Sequence, residues 1–348
     1  MSDCLHWIVP GSLNQRTGGY IYDRRIVDGL RDRGWQVEVH ELPGRFPDPD
    51  HDAIEAAGSL VDRLDQKQAV IDGLALLAFE PVIDRLPASW VGLIHHPLSM
   101  ETGLSSEEVG RVAAIEGPLM HRAARLMVTS PGTRHNLIGF DIDPKGVSVV
   151  VPGVDQAALA TGSGRGKPYQ LLTVGSLTRR KGHLTLLRAL AALQDLDWHL
   201  NLVGSAAWDP AHADEIEQAI VYLGLSEQVA LIGEQDEAGL DSLYDSADLF
   251  VLASHHEGYG MVLTEALSRG LPIISTTAGA IPDTVPAAAG RLVPPGQPEA
   301  LAEALRTVIT DHEIYRELQE GALHARTGLQ SWDESVRQFA TVLRETST

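Results

Sequence analysis

Only one cysteine occurs among the 348 residues. Cys4 cannot close an internal disulfide, which fits a reducing cytoplasm and excludes a metal site built of cysteines; its thiol reads as packing. Aromatic residues are scarce, at 5%, so there is little to line a sugar-stacking groove. No apolar run approaches the roughly 18 residues needed to span a bilayer. The short apolar stretch after Asp3, with no basic cluster before it, reads as a first buried strand and not as a leader. Basic residues are outnumbered 27 to 47, for a net charge of −20. Both halves share the imbalance: 14 basic against 22 acidic residues up to Ala160, and 27 − 14 = 13 against 47 − 22 = 25 after it. That excludes nucleic acid as a partner and disfavours an anionic membrane surface. Arg122, Arg125 and Arg134 could in part supply a local basic patch, but the first two, three apart, also fit a solvated helix face. Internal repeats and low-complexity tracts are missing. So is a G-x-G-x-x-G fingerprint: SLNQRTGGY follows the first strand instead, and an NAD-linked oxidoreductase finds no support.

A chain of this length exceeds one core, so two domains of roughly 150 to 180 residues are expected. HWIVPG, a helical pattern through Ile21, Ile26, Val27 and Leu30, and WQVEVHEL after Gly34 form a β-loop-α-β unit. Further strands are expected at QAVIDGL, SWVGLIHH, ARLMVTS and GVSVVVPG, with helices over 52–66 and 105–124. The segment 156–168 is small, polar and glycine-rich and reads as a linker. After it the alternation restarts with YQLLTVGSL, LTLLRALAAL, WHLNLVG, a helix from Asp214 to Leu223, VALIG, a helix to Ser246, DLFVL and PIIST. The expected organisation is an α/β chain: a doubly wound domain over 1–155, the linker, a second over 169–328, and a C-terminal helix over 329–348. Trp332, Val336, Phe339, Val342 and Leu343 make that helix amphipathic. Ligands of such sheets bind at the C-terminal strand ends, here facing a cleft between the halves.

The richest stretch runs from Ser254 to Ile274, SHHEGYGMVLTEALSRGLPII. A strand, DLFVL, leads into a loop with Gly258 and Gly260, and a helix starts at Met261. The glycines let the backbone turn and approach a ligand, while free N–H groups of the first helical turn face an anion. Glu257 lies on the loop and Glu265 on the helix. At about 1.5 Å per residue they stand several ångströms apart, too far to share a proton but suited to gripping two parts of one extended ligand. A glycosidase pair fits poorly, for want of both a proton-sharing partner and an aromatic groove. Arg179, Arg180 and Lys181 precede a helix, where positive charge is unfavourable unless an anion is near. The 14 histidines include the adjacent pairs His95-His96 and His255-His256, whose side chains diverge, and no carboxylate spacing completes a ligand set. No metal is expected.

With these elements in place, the chain resembles the retaining glycosyltransferases of family 4, which have the GT-B fold of two Rossmann-like domains facing across a cleft. The segments that carry the resemblance are VGSLTRRKG at 174–182, LVG at 202–204, VALIG at 229–233, the E-x7-E stretch within 247–274, AGAIPD at 278–283 and RLVPPGQPEAL at 291–301. The first half matches more loosely, through Gly18-Gly19, HHPLSMETGL at 95–104 and SPGTRHNL at 130–137. The resemblance implies that Glu257 bonds the donor sugar hydroxyls, with Gly258, Tyr259, Gly260 and Met261 beside it, and that Glu265 holds the ribose. Lys181 and Arg180 are implied at the pyrophosphate. Ser176 stands where many relatives have an arginine, so Arg180 or Arg179 must supply the second charge, or it is missing. His95, rather than its neighbour His96, is implied beside the reacting sugar, Gly18-Gly19 under the phosphates, and Gly233 with Gln235 near the base. The expected activity is metal-independent transfer of a hexose-type unit from a nucleoside diphosphate sugar, uridine before guanosine, with retention and without a cofactor. The expected acceptor is small and soluble rather than lipid, and the setting cytoplasmic. An epimerase or hydrolase of the same fold, or a nucleotide-sugar binding protein without turnover, are the alternatives.

Overall fold

The computed structural model describes residues 4–164 and 168–346. It divides into two compact units. One comprises the chain up to Gly153 together with the residues from Gln330 onward, and the other is Val154–Leu329.

Unit 1 holds a six-stranded sheet, β1 Cys4–Pro10, β2 Gln36–Leu42, β3 Gln68–Asp72, β4 Val91–Ile94, β5 Arg125–Val128 and β6 Val147–Val149. Its order is β2-β1-β3-β4-β5-β6, and every pairing is parallel. β1, β3 and β4 are buried almost throughout, as strands covered by helices on both faces must be. The helix Gly18–Asp32 buries Tyr20, Tyr22, Asp23, Ile26, Val27 and Leu30. Asp23 is a carboxylate on that otherwise largely apolar stripe. The helix Ser106–Arg122 starts at a capping box in which Ser105 and Glu108 satisfy each other's backbone N–H. The helix expected over 52–66 spans His51–Val61, and further on Asp65 and Gln66 take left-handed backbone conformations before β3.

The C-terminal helix Trp332–Thr346 buries Val336, Phe339, Ala340 and Leu343 and packs on the helix Gly18–Asp32. Phe339 meets Trp7 of β1 at 5.3 Å between ring centroids. Polar contacts fix its ends: Ser335 Oγ donates to the Val151 carbonyl at 2.8 Å and Gln68 Nε2 to the Leu343 carbonyl at 2.9 Å. The two helices approach so closely that a Cβ on Gly29 would lie 2.4 Å from Val336 Cγ2. Gly29→Ala is therefore expected to cost about 1–3 kcal/mol through overpacking, measurable by urea unfolding, and Val336→Ala in the same chain should recover part of it.

Unit 2 repeats the scheme with β7 Tyr169–Val174, β8 Trp198–Val203, β9 Val229–Gly233, β10 Leu249–Leu252, β11 Ile273–Thr276 and β12 Gly290–Val293. The order is β12-β11-β10-β7-β8-β9, again parallel. The strand order reverses at β7, so the loops after β7 and β10 open side by side at one sheet end, the usual ligand position. The helix expected from Asp214 begins at Pro210, because Asp209 caps the His212 N–H and proline suits the first turn. Of the expected linker 156–168, residues 165–167 lie outside the described residues. Ala160, Thr161 and Gly162 donate backbone N–H bonds to the Arg269 and Asp245 carbonyls, so this stretch is fastened to unit 2. No helix among the described residues is long and apolar enough to cross a membrane.

Candidate active site

In unit 2 the turn Arg179–Lys181 after β7 is held against the loop after β10. Gly182, at φ +67°, closes the turn, and a Cβ there would fall 2.0 Å from the Ala253 carbonyl oxygen. Only glycine fits both demands. The His255 N–H donates to the Arg180 carbonyl at 2.7 Å. The Lys181 stem lies over Gly175, 3.3 Å from where a Cβ would stand. These contacts aim two cations at one carboxylate. Lys181 Nζ donates to Glu257 Oε1 at 2.7 Å, and Arg180 Nη1 donates to the His256 carbonyl at 2.8 Å and Glu257 Oε2 at 3.3 Å. Ser254 Oγ donates to Glu257 Oε1 at 2.6 Å.

Glu257 is buried. Burial works against its ionisation, but Lys181 first and Arg180 second outweigh it and hold the carboxyl at about 2. The turn Ala278–Ala280 braces the Glu257 backbone. The Ala280 N–H donates to the Glu257 carbonyl at 2.8 Å, and Gly279, at φ +57°, approaches so closely that a Cβ would lie 2.2 Å from that oxygen. Arg179 has turned away. Its Nη2 donates to Glu215 at 2.6 Å, with Asp209 at 4.0 Å. Of the two arginines considered for the second charge, Arg180 is the one beside Glu257.

The helix Met261–Ser268 begins at Gly260, whose φ is +85°, and no side chain caps it. Its first turn thus presents backbone donors at the end of the Gly258-Tyr259-Gly260 loop, the arrangement that favours an anion. The Tyr259 carbonyl accepts from Thr284 Oγ1 at 2.8 Å, which fixes the loop. Glu265, one turn into the helix, has its own partners. Burial pushes its carboxyl up, and the Tyr244 hydroxyl, donating to Oε2 at 2.9 Å, opposes this. Arg269 sits 4.4 Å from the Tyr244 ring centroid and pairs with Asp241. Glu257 and Glu265 therefore stand in separate hydrogen-bond networks, one cationic and one phenolic. Gly233 ends β9 at φ +75°, and its carbonyl accepts from the Gly204 N–H at 3.0 Å; Gln235 Nε2 donates back to the Ile232 carbonyl at 3.2 Å.

In unit 1, His95 follows β4 and lies against the start of the helix Gly18–Asp32. A Cβ on Gly19 would be 3.3 Å from His95 Cδ2. The imidazole is gripped by two buried acids: Nε2 is 3.1 Å from Asp23 Oδ1 and 3.5 Å from Asp72 Oδ2. Tyr22 meets the ring edge-on at 5.5 Å. Burial alone would favour the neutral ring, but Asp23 and Asp72 outweigh it and raise His95 to about 10. Burial and then Asp72 push Asp23 up to about 7. The two acids thus favour the protonated form of His95. His96 points elsewhere, with Nε2 3.0 Å from Glu101. The loop that follows this histidine pair is held by the buried Glu116, which accepts from the Leu98 and Ser99 N–H groups at 2.7 and 3.3 Å.

Asp23 and Asp72, which hold His95, and Tyr244, which holds Glu265, lie outside the motifs, and Ser254, which holds Glu257, opens the 254–274 stretch without being a candidate of its own. A signal exists for two of them: Asp23 is an acid on the apolar stripe of its helix, and Asp72 ends a buried strand, QAVID.

Residues 159–324 match the family described as Glycosyl transferases group 1. The matched segment lies wholly within unit 2. Among curated relatives, D-inositol 3-phosphate glycosyltransferase of Corynebacterium kroppenstedtii is 28% identical over 66% of this chain and 55% of its own length. MMP alpha-(1->4)-mannosyltransferase of Mycolicibacterium hassiacum is 26% identical over 85% of this chain and 75% of its own. The chain spans about half the length of most of the curated relatives it matches. Among solved structures, sucrose-phosphate synthase from Thermosynechococcus elongatus superposes with a TM-score of 0.84 at 22% identity, over 99% of this chain and 98% of that one. Anabaena HepE in complex with UDP and glucose gives 0.81 at 19%, over 98% and 99%. At such identities these structures speak for the fold alone: the chain has the expected GT-B fold, with two six-stranded parallel sheets.

Proposed function

We propose that the chain moves a hexose-type unit from a nucleoside diphosphate sugar, uridine before guanosine, to a small soluble acceptor with retention of configuration. The observation that carries this reading is the cluster of Lys181, Arg180 and Glu257 beside an uncapped helix start. A departing diphosphate develops negative charge, and fixed cations that need no reorganisation stabilise it better than water does. Without a ligand those cations are neutralised by Glu257. When the donor enters, its diphosphate takes over Lys181 and Arg180, and the freed carboxylate accepts hydrogen bonds from sugar hydroxyls. Glu265, oriented by Tyr244, takes the ribose hydroxyls. The bond from the anomeric carbon to the diphosphate oxygen breaks with its electron pair on that oxygen. The acceptor oxygen bonds to the anomeric carbon from the same face, and its proton passes to the leaving phosphate. In this reading His95 orients the donor sugar, and no metal ion or cofactor takes part.

Uridine is supported by the UDP bound in the Anabaena HepE structure. A small polar acceptor is supported by the inositol 3-phosphate in the names of several relatives and by the acidic balance of the chain. One cysteine in 348 residues fits a cytoplasmic setting.

The test is thermal denaturation in EDTA with UDP, GDP, ADP and TDP sugars, followed by proton NMR of the stabilising donor with inositol phosphates and sugar phosphates. A ligand at 100 times its dissociation constant adds about 2.7 kcal/mol, so one nucleotide series should raise the melting temperature by several degrees. Donor consumed without a glycosylated product would instead mark an epimerase or hydrolase. Stabilisation without turnover by any acceptor would mark a binding protein.

A further inference from the structure

Unit 1 brings together a ligand set that lies far apart in the sequence. β1 and β2 pair in parallel with His6 opposite Glu38 and Ile8 opposite His40. Residues two apart on a strand share a face, so His6, Glu38 and His40 all project to the same side. His6 Nδ1 and His40 Nε2 point at each other across 2.8 Å. Glu38 Oε2 lies 3.6 Å from the former and Oε1 3.9 Å from the latter. The two imidazoles are set inward and the carboxylate outward: side-chain exposures are 4% for His6, 14% for His40 and 64% for Glu38.

We infer that His6, His40 and Glu38 form a binding site for one divalent transition-metal ion of the zinc type, with its fourth position open to solvent. Zinc bonds of about 2.0–2.1 Å to imidazole nitrogen at tetrahedral angles separate ligand atoms by about 3.4 Å. The three separations bracket that value, so an ion enters if the imidazole pair opens by about half an ångström and the exposed carboxylate closes by a similar amount. Two histidines with one carboxylate is an established ligand set for such ions. The site shares no residue with the His95 cluster, and its ion takes no part in sugar transfer. It ties β1 to the edge strand β2 and stabilises unit 1.

The experiment uses the full chain stripped with EDTA and then titrated with Co2+ followed spectroscopically, and with Zn2+ followed by melting temperature. The variants are Glu38→Gln, His40→Gln and His95→Gln. One equivalent of Co2+ with the intense visible bands of four-coordinate cobalt is expected, together with a Zn2+-dependent rise in melting temperature. Glu38→Gln, an exposed position that leaves the core intact, should weaken binding at least 10-fold; His40→Gln should abolish the bands; His95→Gln should change neither. Binding that survives His40→Gln, or is lost in His95→Gln instead, overturns the proposal, as does wild-type protein that takes up no Co2+.

Discussion

Glu257→Gln is expected to bind a bare nucleoside diphosphate about 10-fold more tightly than the wild type while transferring sugar about 100- to 1000-fold more slowly. The two effects have opposite signs because the proposed mechanism gives the carboxylate two tasks. In the unliganded site it is the counter-ion of Lys181 and Arg180. Turning it into an amide of the same shape leaves two cations facing an incoming diphosphate without competition, a gain of about 1.4 kcal/mol for a tenfold change. In the proposed mechanism the amide also loses the charged acceptor that the sugar hydroxyls need once the diphosphate has displaced it. Isothermal titration with the diphosphate and a turnover assay separate the two. Equal weakening of both would show that Glu257 merely braces its loop. A linked effect on stability follows. Because the folded state holds Glu257 at about 2, below its unfolded value, the pair stabilises unit 2 above about pH 4.5, and that contribution fades as pH falls toward 2.

Asp23→Asn is expected to lower the alkaline limit of activity and to reduce kcat/KM about 100-fold at pH 9. The asparagine oxygen still accepts from His95 Nε2, so geometry is kept, but one of the two charges that keep His95 protonated is gone. The wild-type ring is raised to about 10; with Asp72 alone it should titrate nearer neutrality. The pH profile distinguishes this positioning role from simple destabilisation, since a folding defect lowers activity at every pH. The stability consequence has a definite sign. Both His95 and Asp23 have raised values in the folded state, so each stabilises unit 1 in its protonated form at low pH. Asp23 loses that contribution between about pH 4 and 7, and His95 loses its own between about pH 6.5 and 10. Unit 1 should therefore unfold more readily as pH rises across the neutral range, and Asp23→Asn should remove the lower leg of that decline.

The fold is legible in the sequence because alternation and punctuation agree. Continuous apolar runs such as VGLI and DLFVL form buried parallel strands, and Gly34 closes the first helix where expected. The cationic turn and Glu257 can be placed as candidates by motif, but their mutual ion pair cannot, since it depends on Gly182 and Gly279 allowing the backbone of three loops to touch. Arg179 shows the limit: adjacent in sequence to Arg180, it faces Glu215 because successive residues of a tight turn point in different directions. Asp23 and Asp72 are readable only as anomalies on apolar surfaces, without a hint of their shared partner. The pairing of His6 with His40 is hidden for a different reason. Histidines adjacent in sequence diverge and make poor ligand pairs, whereas this pair depends on strand register, which brings residues 34 positions apart to within hydrogen-bond distance.

The most direct test of the proposed donor site is isothermal titration of UDP into the wild type and Lys181→Ala, in EDTA at neutral pH. One site is predicted in the wild type and at least a 30-fold loss of affinity in the variant, about 2 kcal/mol for removing a cation that grips the diphosphate. Equal affinity in both proteins would contradict this reading, because the diphosphate would then be held somewhere other than beside Lys181, Arg180 and Glu257.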